Sequence, residues 1–219
     1  MPCSADGVFS LSGVYALTPD DNLLPRLMAL VESALAGGVR WVQYRNKSAS
    51  AALRREEASA LLKLCLAHGA KLIVNDDVWL AVEIGAHGAH VGRDDLPGGS
   101  LKAARDALGP NRILGVSCYD DLARAEAAVA AGADYIAFGS LFPSITKPQA
   151  IRASLDVIRE AKRRFEVPVV GIGGITTQNA HQVLAAGADM IAVLSDLFDA
   201  MDIRKQAEEF QQLFKERQP

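Results

Sequence analysis

Eight short apolar runs, rich in valine, isoleucine and aromatic residues, recur along the chain, and longer stretches whose apolar residues fall three or four apart lie between them. The runs are GVYALT (13–18), VRWVQYR (39–45), KLIVND (71–76), GAHVG (88–92), RILGVS (112–117), ADYIAFG (133–139), VPVVGIG (167–173) and ADMIAVLS (188–195). Helical spacing marks segments such as 23–35, 51–67, 122–131, 155–165 and 179–186. The runs are nearly continuous in apolar character, as expected of parallel strands covered by helices on their outer faces. A weak internal repeat supports the same unit: AAGADYIAFGS and AAGADMIAVLS share one plan, and LAGGVRWVQYR and IGAHGAHVGRD are looser copies. In this plan a glycine closes the helix and the next strand begins at once. Gly38, Gly132 and Gly187 fit the left-handed position after a helix, which residues with a Cβ tolerate poorly.

Eight such units in 219 residues, with no composition break or long linker, predict an α/β chain folded as a single closed (β/α)8 TIM barrel. The barrel is expected over 13–219, with 1–12 as an N-terminal extension and a charged amphipathic helix from Asp202 onward packing on the chain's own core. An open, doubly wound sheet is the alternative. The GIGG segment at 171–174 invites comparison with a dinucleotide fingerprint, but it lacks the third glycine at the required spacing and comes late in the chain.

At 50% hydrophobic and 22% charged, the chain is far from the composition of disorder. A net charge of -3 argues against a nucleic-acid partner, which needs a basic face. Cys3, Cys65 and Cys118 are odd in number and widely spaced, which suits a reducing, cytoplasmic setting. The first residues, MPCSADGVFS, lack a basic segment followed by an apolar run, and no stretch reaches the length of a membrane span. Monomer and homo-oligomer both stay open.

In a barrel of this kind the chemistry sits at the carboxyl ends of the strands. The second run ends in Gln43-Tyr44-Arg45-Asn46-Lys47, and alternation places Gln43, Arg45 and Lys47 on one side. Two cations and an amide there expect an anion, against the plainer reading of a solvated basic edge. The third run ends in Asn75-Asp76-Asp77 and the fourth leads to Gly92-Arg93-Asp94-Asp95. Carboxylates from neighbouring strands suit Mg²⁺, which takes one or two of them and fills its octahedron with water and phosphate oxygens. Each could instead cap a helix, as is expected of Asp77. The loop from Gly139 to Pro148 carries two hydroxyls and a lysine, Ser144, Thr146 and Lys147, with two prolines, which suits a phosphate clamp as well as an ordinary surface loop. Gly173-Gly174 and Leu194-Ser195 stand where barrels often bind phosphate through backbone N–H groups, although a tight turn alone would also require the glycines. Two anion sites in one pocket, one with a divalent metal, imply two phosphorylated substrates. The four histidines give little sign of acid–base work. His90, inside the fourth strand, reads as a satisfied core residue, and Cys118 as a lining residue without a paired histidine.

The motifs QYRNK, VNDD, HVGRDDLP, GVS, FGSLFPSITK, VVGIGGIT and AVLS occur in the order found in thiamin phosphate synthases, and the chain resembles that family over 14–197. The resemblance implies a transferase that joins a hydroxymethylpyrimidine diphosphate to a thiazole phosphate, by Mg²⁺-assisted ionisation followed by capture of the pyrimidine-methyl cation. It implies that Gln43, Arg45 and Lys47 hold the pyrimidine diphosphate with Asn75, Ser117 and Lys147. Of these, Arg45, Lys47, Ser117 and Lys147 are the implied catalytic residues. Asp76 and Asp95 would hold Mg²⁺. Ser144 and Thr146 would contact the thiazole substrate, and Gly174, Leu194 and Ser195 would bind its phosphate. The chain departs from the family pattern at Arg93 and Asp94, where G-Q-E-D is common, and at Ser144, where threonine is usual. Tyr119 stands where many relatives have a histidine. That position bears on the rival thiazole tautomerase branch, which needs an acid–base group there and not the full Mg²⁺ and diphosphate set. A noncatalytic phosphate-binding barrel is the third reading; it would not require Asp76, Asp95, Arg45 and Lys147 together.

Overall fold

The computed structural model describes residues 11–21, 23–143 and 152–216. Eight parallel strands close into a barrel in sequence order: β1 (Gly13–Leu17), β2 (Trp41–Tyr44), β3 (Lys71–Asn75), β4 (Gly88–Val91), β5 (Ile113–Tyr119), β6 (Tyr135–Phe138), β7 (Val169–Ile172) and β8 (Met190–Val193). Closure is made by β1 pairing with β8, with Val14 opposite Ile191. All eight predicted strands are present and the open-sheet alternative is excluded. Most are shorter than their apolar runs, because the run ends lie in the turns.

Helices alternate with the strands: α1 (Leu24–Ala36), α2 (Ala51–Ala67), α3 (Val78–Ile84), α4 (Leu101–Leu108), α5 (Leu122–Ala130), α6 (Leu155–Arg164), α7 (Ala180–Ala185), α8 (Ser195–Phe198) and α9 (Ile203–Lys215). Several begin on the short polar residue their sequences supply. The Ser50, Asp77, Ser100 and Asp121 side chains accept N–H bonds from Leu53, Leu80, Ala103 and Arg124, each such cap stabilising its helix by about 1 kcal/mol. The glycine rule of the repeat also holds. Gly38, Gly132 and Gly187 have φ of 97°, 86° and 108°. In each case the next residue donates back into the helix, Val39 to Ala34, Ala133 to Ala128 and Ala188 to Val183.

Alternation along the strands makes two cores. Tyr15, Leu17, Trp41, Ile73, Tyr135, Ala137, Val170, Met190 and Ala192 fill the lumen, while Val14, Val42, Val74, Val116, Phe138 and Ile191 face the helices. The C-terminal helix α9 lies on α1 and β1. It buries Ala207 and Phe210, and Gln211 Nε2 donates to the Gly38 carbonyl at 2.8 Å. Gly37 permits that approach, since a Cβ there would sit 2.4 Å from the Arg204 carbonyl oxygen. Burial of Phe210 stabilises this closure by about 2–3 kcal/mol. Cys118 belongs to the outer core and is fully buried, so it does not line the mouth as expected. It follows the inward Ser117 by one residue, and period two turns it toward the helices.

Candidate active site

The ends of β2, β3 and β4 bring charged side chains together at one sector of the rim. Strand pairing ends at Tyr44, so alternation carries only Gln43 into the lumen, and Arg45 and Lys47 are placed by the turn that follows. Thr18 fixes that turn: its Oγ1 donates to the Arg45 carbonyl at 3.0 Å and accepts from the Arg45 N–H at 2.9 Å. The Arg45 guanidinium then meets Asp20 at 2.9 Å. Lys47 Nζ reaches Asp76 at 3.1 Å.

Asp76 follows the end of β3 with φ of 62°, a left-handed conformation that aspartate adopts more readily than most residues. Its N–H donates to the His90 carbonyl at 2.8 Å, and its carboxyl group is hydrogen-bonded to that of Asp95. Gly92 makes room for the pair, since a Cβ there would lie 2.9 Å from Asp95 Oδ2 and 3.9 Å from Asp76 Oδ1. Two carboxyl groups in contact cannot both ionise freely. Burial, then the charge and hydrogen bond of Asp76, raise the Asp95 carboxyl above its ordinary range, with Lys47 opposing. A divalent cation would relieve that repulsion. Among the described residues no group of three or more His, Cys, Asp or Glu side chains could form a closed metal cage. The donor set is thus a carboxylate pair, which fits a hard ion that keeps water and takes substrate oxygens. Asp77 instead caps α3, with Leu80 N–H donating to it at 2.9 Å, as its sequence position suggested.

The opposite sector, at β6 to β8, is built from backbone. Gly173 and Gly174 have φ of 101° and 63°. A Cβ on Gly173 would sit 2.5 Å from Ser140 Oγ, and one on Gly174 2.3 Å from the Pro143 carbonyl oxygen. These glycines let the turn after β7 press against the turn after β6. Asn179 Nδ2 holds the Gly174 carbonyl at 2.9 Å. Next to this turn β8 ends at Val193, Leu194 precedes α8, and Ser195 opens it.

A family model described as thiamine monophosphate synthase matches residues 14–197. The chain belongs to that family. It is 54% identical over 202 residues to the thiamine-phosphate synthase of Thiobacillus denitrificans, covering 92% of this chain and 94% of the relative. Identity to the thiamine-phosphate synthase of Nitrosococcus oceani is 51% over 207 residues, covering 94% of each. The solved thiamine phosphate pyrophosphorylase from Pyrococcus furiosus superposes with a TM-score of 0.84 at 34% identity, over 94% of this chain and 97% of that one.

Of the thiamine monophosphate synthase positions named from sequence, Lys47, Asp76 and Asp95 form one cluster and Arg45 borders it through Asp20. Asn75 ends β3 and pairs in register with His90. Gly174, Leu194 and Ser195 stand at the neighbouring ends of β7 and β8. Ser144, Thr146 and Lys147 lie outside the described residues, as do Cys3 and 1–10 of the N-terminal extension. Tyr119, the position on which the tautomerase alternative turns, is exposed and contacts two arginines. The guanidinium groups of Arg93 and Arg124 both lie over its ring, 5.3 Å and 5.9 Å from the centroid, and its hydroxyl accepts the Arg93 N–H at 3.3 Å.

Sequence reasoning missed what lies beneath Gln43 and Ser117. Gln43 Nε2 donates to Tyr15 Oη at 2.9 Å, and the two tyrosine hydroxyls of Tyr15 and Tyr135 are 2.9 Å apart. Tyr135 Oη lies 3.0 Å from His90 Nδ1, and His90 Nε2 lies 2.8 Å from Ser117 Oγ. Burial pushes the His90 imidazole down to about 4, with the Asp76 charge opposing, so the ring is neutral near pH 7. The core role expected of His90 holds, and this core is a polar one. The available signal was tyrosine at inward positions of β1 and β6, because a buried hydroxyl requires a partner. Asp20 and Thr18, at the end of β1, could likewise have been found by treating that strand end as the others were treated.

Proposed function

We propose that this chain is a thiamine-phosphate synthase, joining 4-amino-2-methyl-5-hydroxymethylpyrimidine diphosphate to a thiazole phosphate and releasing diphosphate. The observation that carries the reading is the contact of the Asp76 and Asp95 carboxyl groups beside Lys47, a site for a divalent cation and a polyanion together. Family membership supplies the reaction. The bond between the pyrimidine methylene and the diphosphate oxygen breaks, with both electrons leaving on oxygen. The thiazole nitrogen then donates its lone pair to the methylene carbon, so no proton transfer to a protein base is needed for balance.

Asp76 and Asp95 would hold Mg²⁺, which when bound supplies Lewis-acid stabilisation of the departing diphosphate. Lys47 and Arg45 add positive charge where negative charge develops, the kind of preorganised stabilisation that dominates many enzyme rates. Lys147 joins them in this reading. Gln43, Asn75 and Ser117 hold the pyrimidine substrate. Gly174, Leu194 and Ser195 bind the thiazole phosphate, with Ser144 and Thr146 contacting that substrate. Its partners are these small molecules and not nucleic acid. No helix among the described residues is long and apolar enough to cross a membrane, and the cysteine usage fits a cytoplasmic enzyme.

Tyr119, with the Arg93 and Arg124 guanidiniums over its ring, speaks against the tautomerase reading, since a phenol engaged by two cations does not supply the acid–base histidine that reading needs. Incubating purified protein with both phosphorylated substrates, with and without Mg²⁺, tests the proposal. Thiamin phosphate and diphosphate should appear in equal amounts only with the metal. Proton exchange on the thiazole without coupled product would establish the tautomerase instead, and binding without any turnover the noncatalytic barrel.

A further inference from the structure

Five side chains from five strands form one hydrogen-bonded chain across the lumen: Gln43, Tyr15, Tyr135, His90 and Ser117. Tyr15 and Tyr135 are 1% exposed, Gln43 3% and His90 7%, so the contacts among these four are made away from bulk water, and the His90–Ser117 contact at the end of the chain is partly buried. The rings pack as well as bond. Tyr15 meets Tyr135 edge to face at 6.0 Å, and His90 stacks on Tyr135 at 5.6 Å. Gly115 opens the space, because a Cβ on it would lie 2.0 Å from Tyr135 Cζ and 2.2 Å from its hydroxyl.

The direction of the chain follows from counting protons. Gln43 Nε2 can only donate, so Tyr15 Oη accepts from it and has its single proton left for Tyr135. Tyr135 accepts that proton and gives its own to His90 Nδ1. The neutral imidazole then carries its proton on Nε2 and donates it to Ser117 Oγ. Ser117 is left with a hydroxyl proton to give, and Gln43 with Oε1 to accept. This polarity gives the proton of every inner member an acceptor, whereas the reverse direction makes the same links but leaves the buried Tyr15 hydroxyl proton without an acceptor among these five side chains.

We propose that Tyr15, Tyr135 and His90 are positioning residues that lock Gln43 as a hydrogen-bond acceptor and Ser117 as a donor toward the bound aminopyrimidine diphosphate. This rests on the synthase reading for the identity of the substrate. The direction of the chain itself does not. A substrate that carries an amino group at one point and oxyanions at another needs an acceptor and a donor at separate places, and the relay presets both before the substrate arrives.

The test has a part that needs no turnover. In the substrate-free protein, ¹⁵N NMR of labelled histidine should find His90 neutral with its proton on Nε2; a proton on Nδ1 would overturn the proposed polarity. Tyr135→Phe keeps the ring and removes the central hydroxyl. It should raise KM for the pyrimidine diphosphate about tenfold, leave KM for the thiazole phosphate unchanged, and shift the His90 tautomer signals. If Y135F acts through Ser117, adding it to S117A should change kcat/KM little further, whereas independent losses that multiply would overturn the coupling. Should Y135F fail to fold, Tyr15→Phe breaks the neighbouring link and carries the same measurements. Variants that lose thermal stability but keep both KM values would reduce the relay to a structural feature. Absence of thiamin phosphate with the unaltered protein would defeat the synthase reading and leave the tautomer result standing.

Discussion

Under the proposed function the two halves of the barrel mouth would each hold an anion, by different means. At β2 to β4 the work falls to charged side chains: Lys47 on Asp76, Asp76 on Asp95, Arg45 on Asp20. At β7 and β8 it falls to backbone shape, with Gly173 and Gly174 at φ of 101° and 63° pressed against Ser140 and Pro143. The first half is rich in electrostatic stress that a cation and a diphosphate would relieve. The second, among the described residues, is defined by where a Cβ cannot be. Side-chain charge suits a group whose charge changes during reaction, and fixed N–H geometry suits a phosphate that stays intact.

The largest effect should come from the carboxylate pair. Asp76→Asn keeps a residue that tolerates the left-handed backbone, so the fold survives while the charge is lost. Turnover at saturating substrates and Mg²⁺ should fall roughly 10³-fold with little change in Tm; an activity within threefold of the unaltered enzyme would remove Asp76 from the metal site. On the other side, Gly174→Ala meets both a positive φ and the Pro143 carbonyl. It should cost about 1–3 kcal/mol of stability, visible as a Tm lower by several degrees, and should weaken the thiazole phosphate more than the pyrimidine diphosphate.

The charged half should also carry a pH signature that the other lacks. A carboxyl raised in the folded state binds its proton more tightly there than in the unfolded chain. For Asp95 the metal-free protein therefore gains stability as pH falls through the raised value, and the gain is complete once pH drops below the ordinary carboxylate range near 4. His90 acts with the opposite sign. Its folded value is lowered to about 4, so stability falls as pH drops from about 6.5 toward that value. Subtracting the Tm-against-pH curve of Asp95→Asn from that of the unaltered protein isolates the carboxyl; a flat difference would show that the pair is not coupled. The smallest effect belongs to Arg93→Gln. Arg93 is exposed and stacks on Tyr119, so KM for the diphosphate should rise only about twofold to fivefold at low salt, and the difference should fade as salt is added.

The same contrast explains what the sequence could disclose. Strand positions, helix caps and the glycines at 38, 132 and 187 are local matters, and a linear pattern of period two, period 3.6 and turn residues records them. The polar rim was legible because Gln43, Asn75, Asp76 and Asp95 lie at or just beyond the carboxyl ends of strands, where a barrel concentrates chemistry. Alternation did not reach Arg45 and Lys47, which are met after β2 by the Thr18 clamp on Arg45 and by Asp20, the acceptor of the Lys47 N–H. Nor does a one-dimensional pattern say which inward residues meet across the lumen. Tyr15 and Tyr135 are 120 positions apart, and Gly115, which admits the Tyr135 ring, reads in sequence as an ordinary strand glycine. Cys118 shows the limit at finest grain, since one step of alternation separates a pocket position from the outer core.

Direct binding measurements on one variant confront the division of the mouth most closely. Calorimetric titration of Asp95→Asn with each substrate, in the presence of Mg²⁺, should find pyrimidine diphosphate bound at least tenfold more weakly than by the unaltered protein. Affinity for the thiazole phosphate should not change. Equal weakening of both substrates, or loss of the thiazole phosphate alone, would contradict the assignment of the two halves.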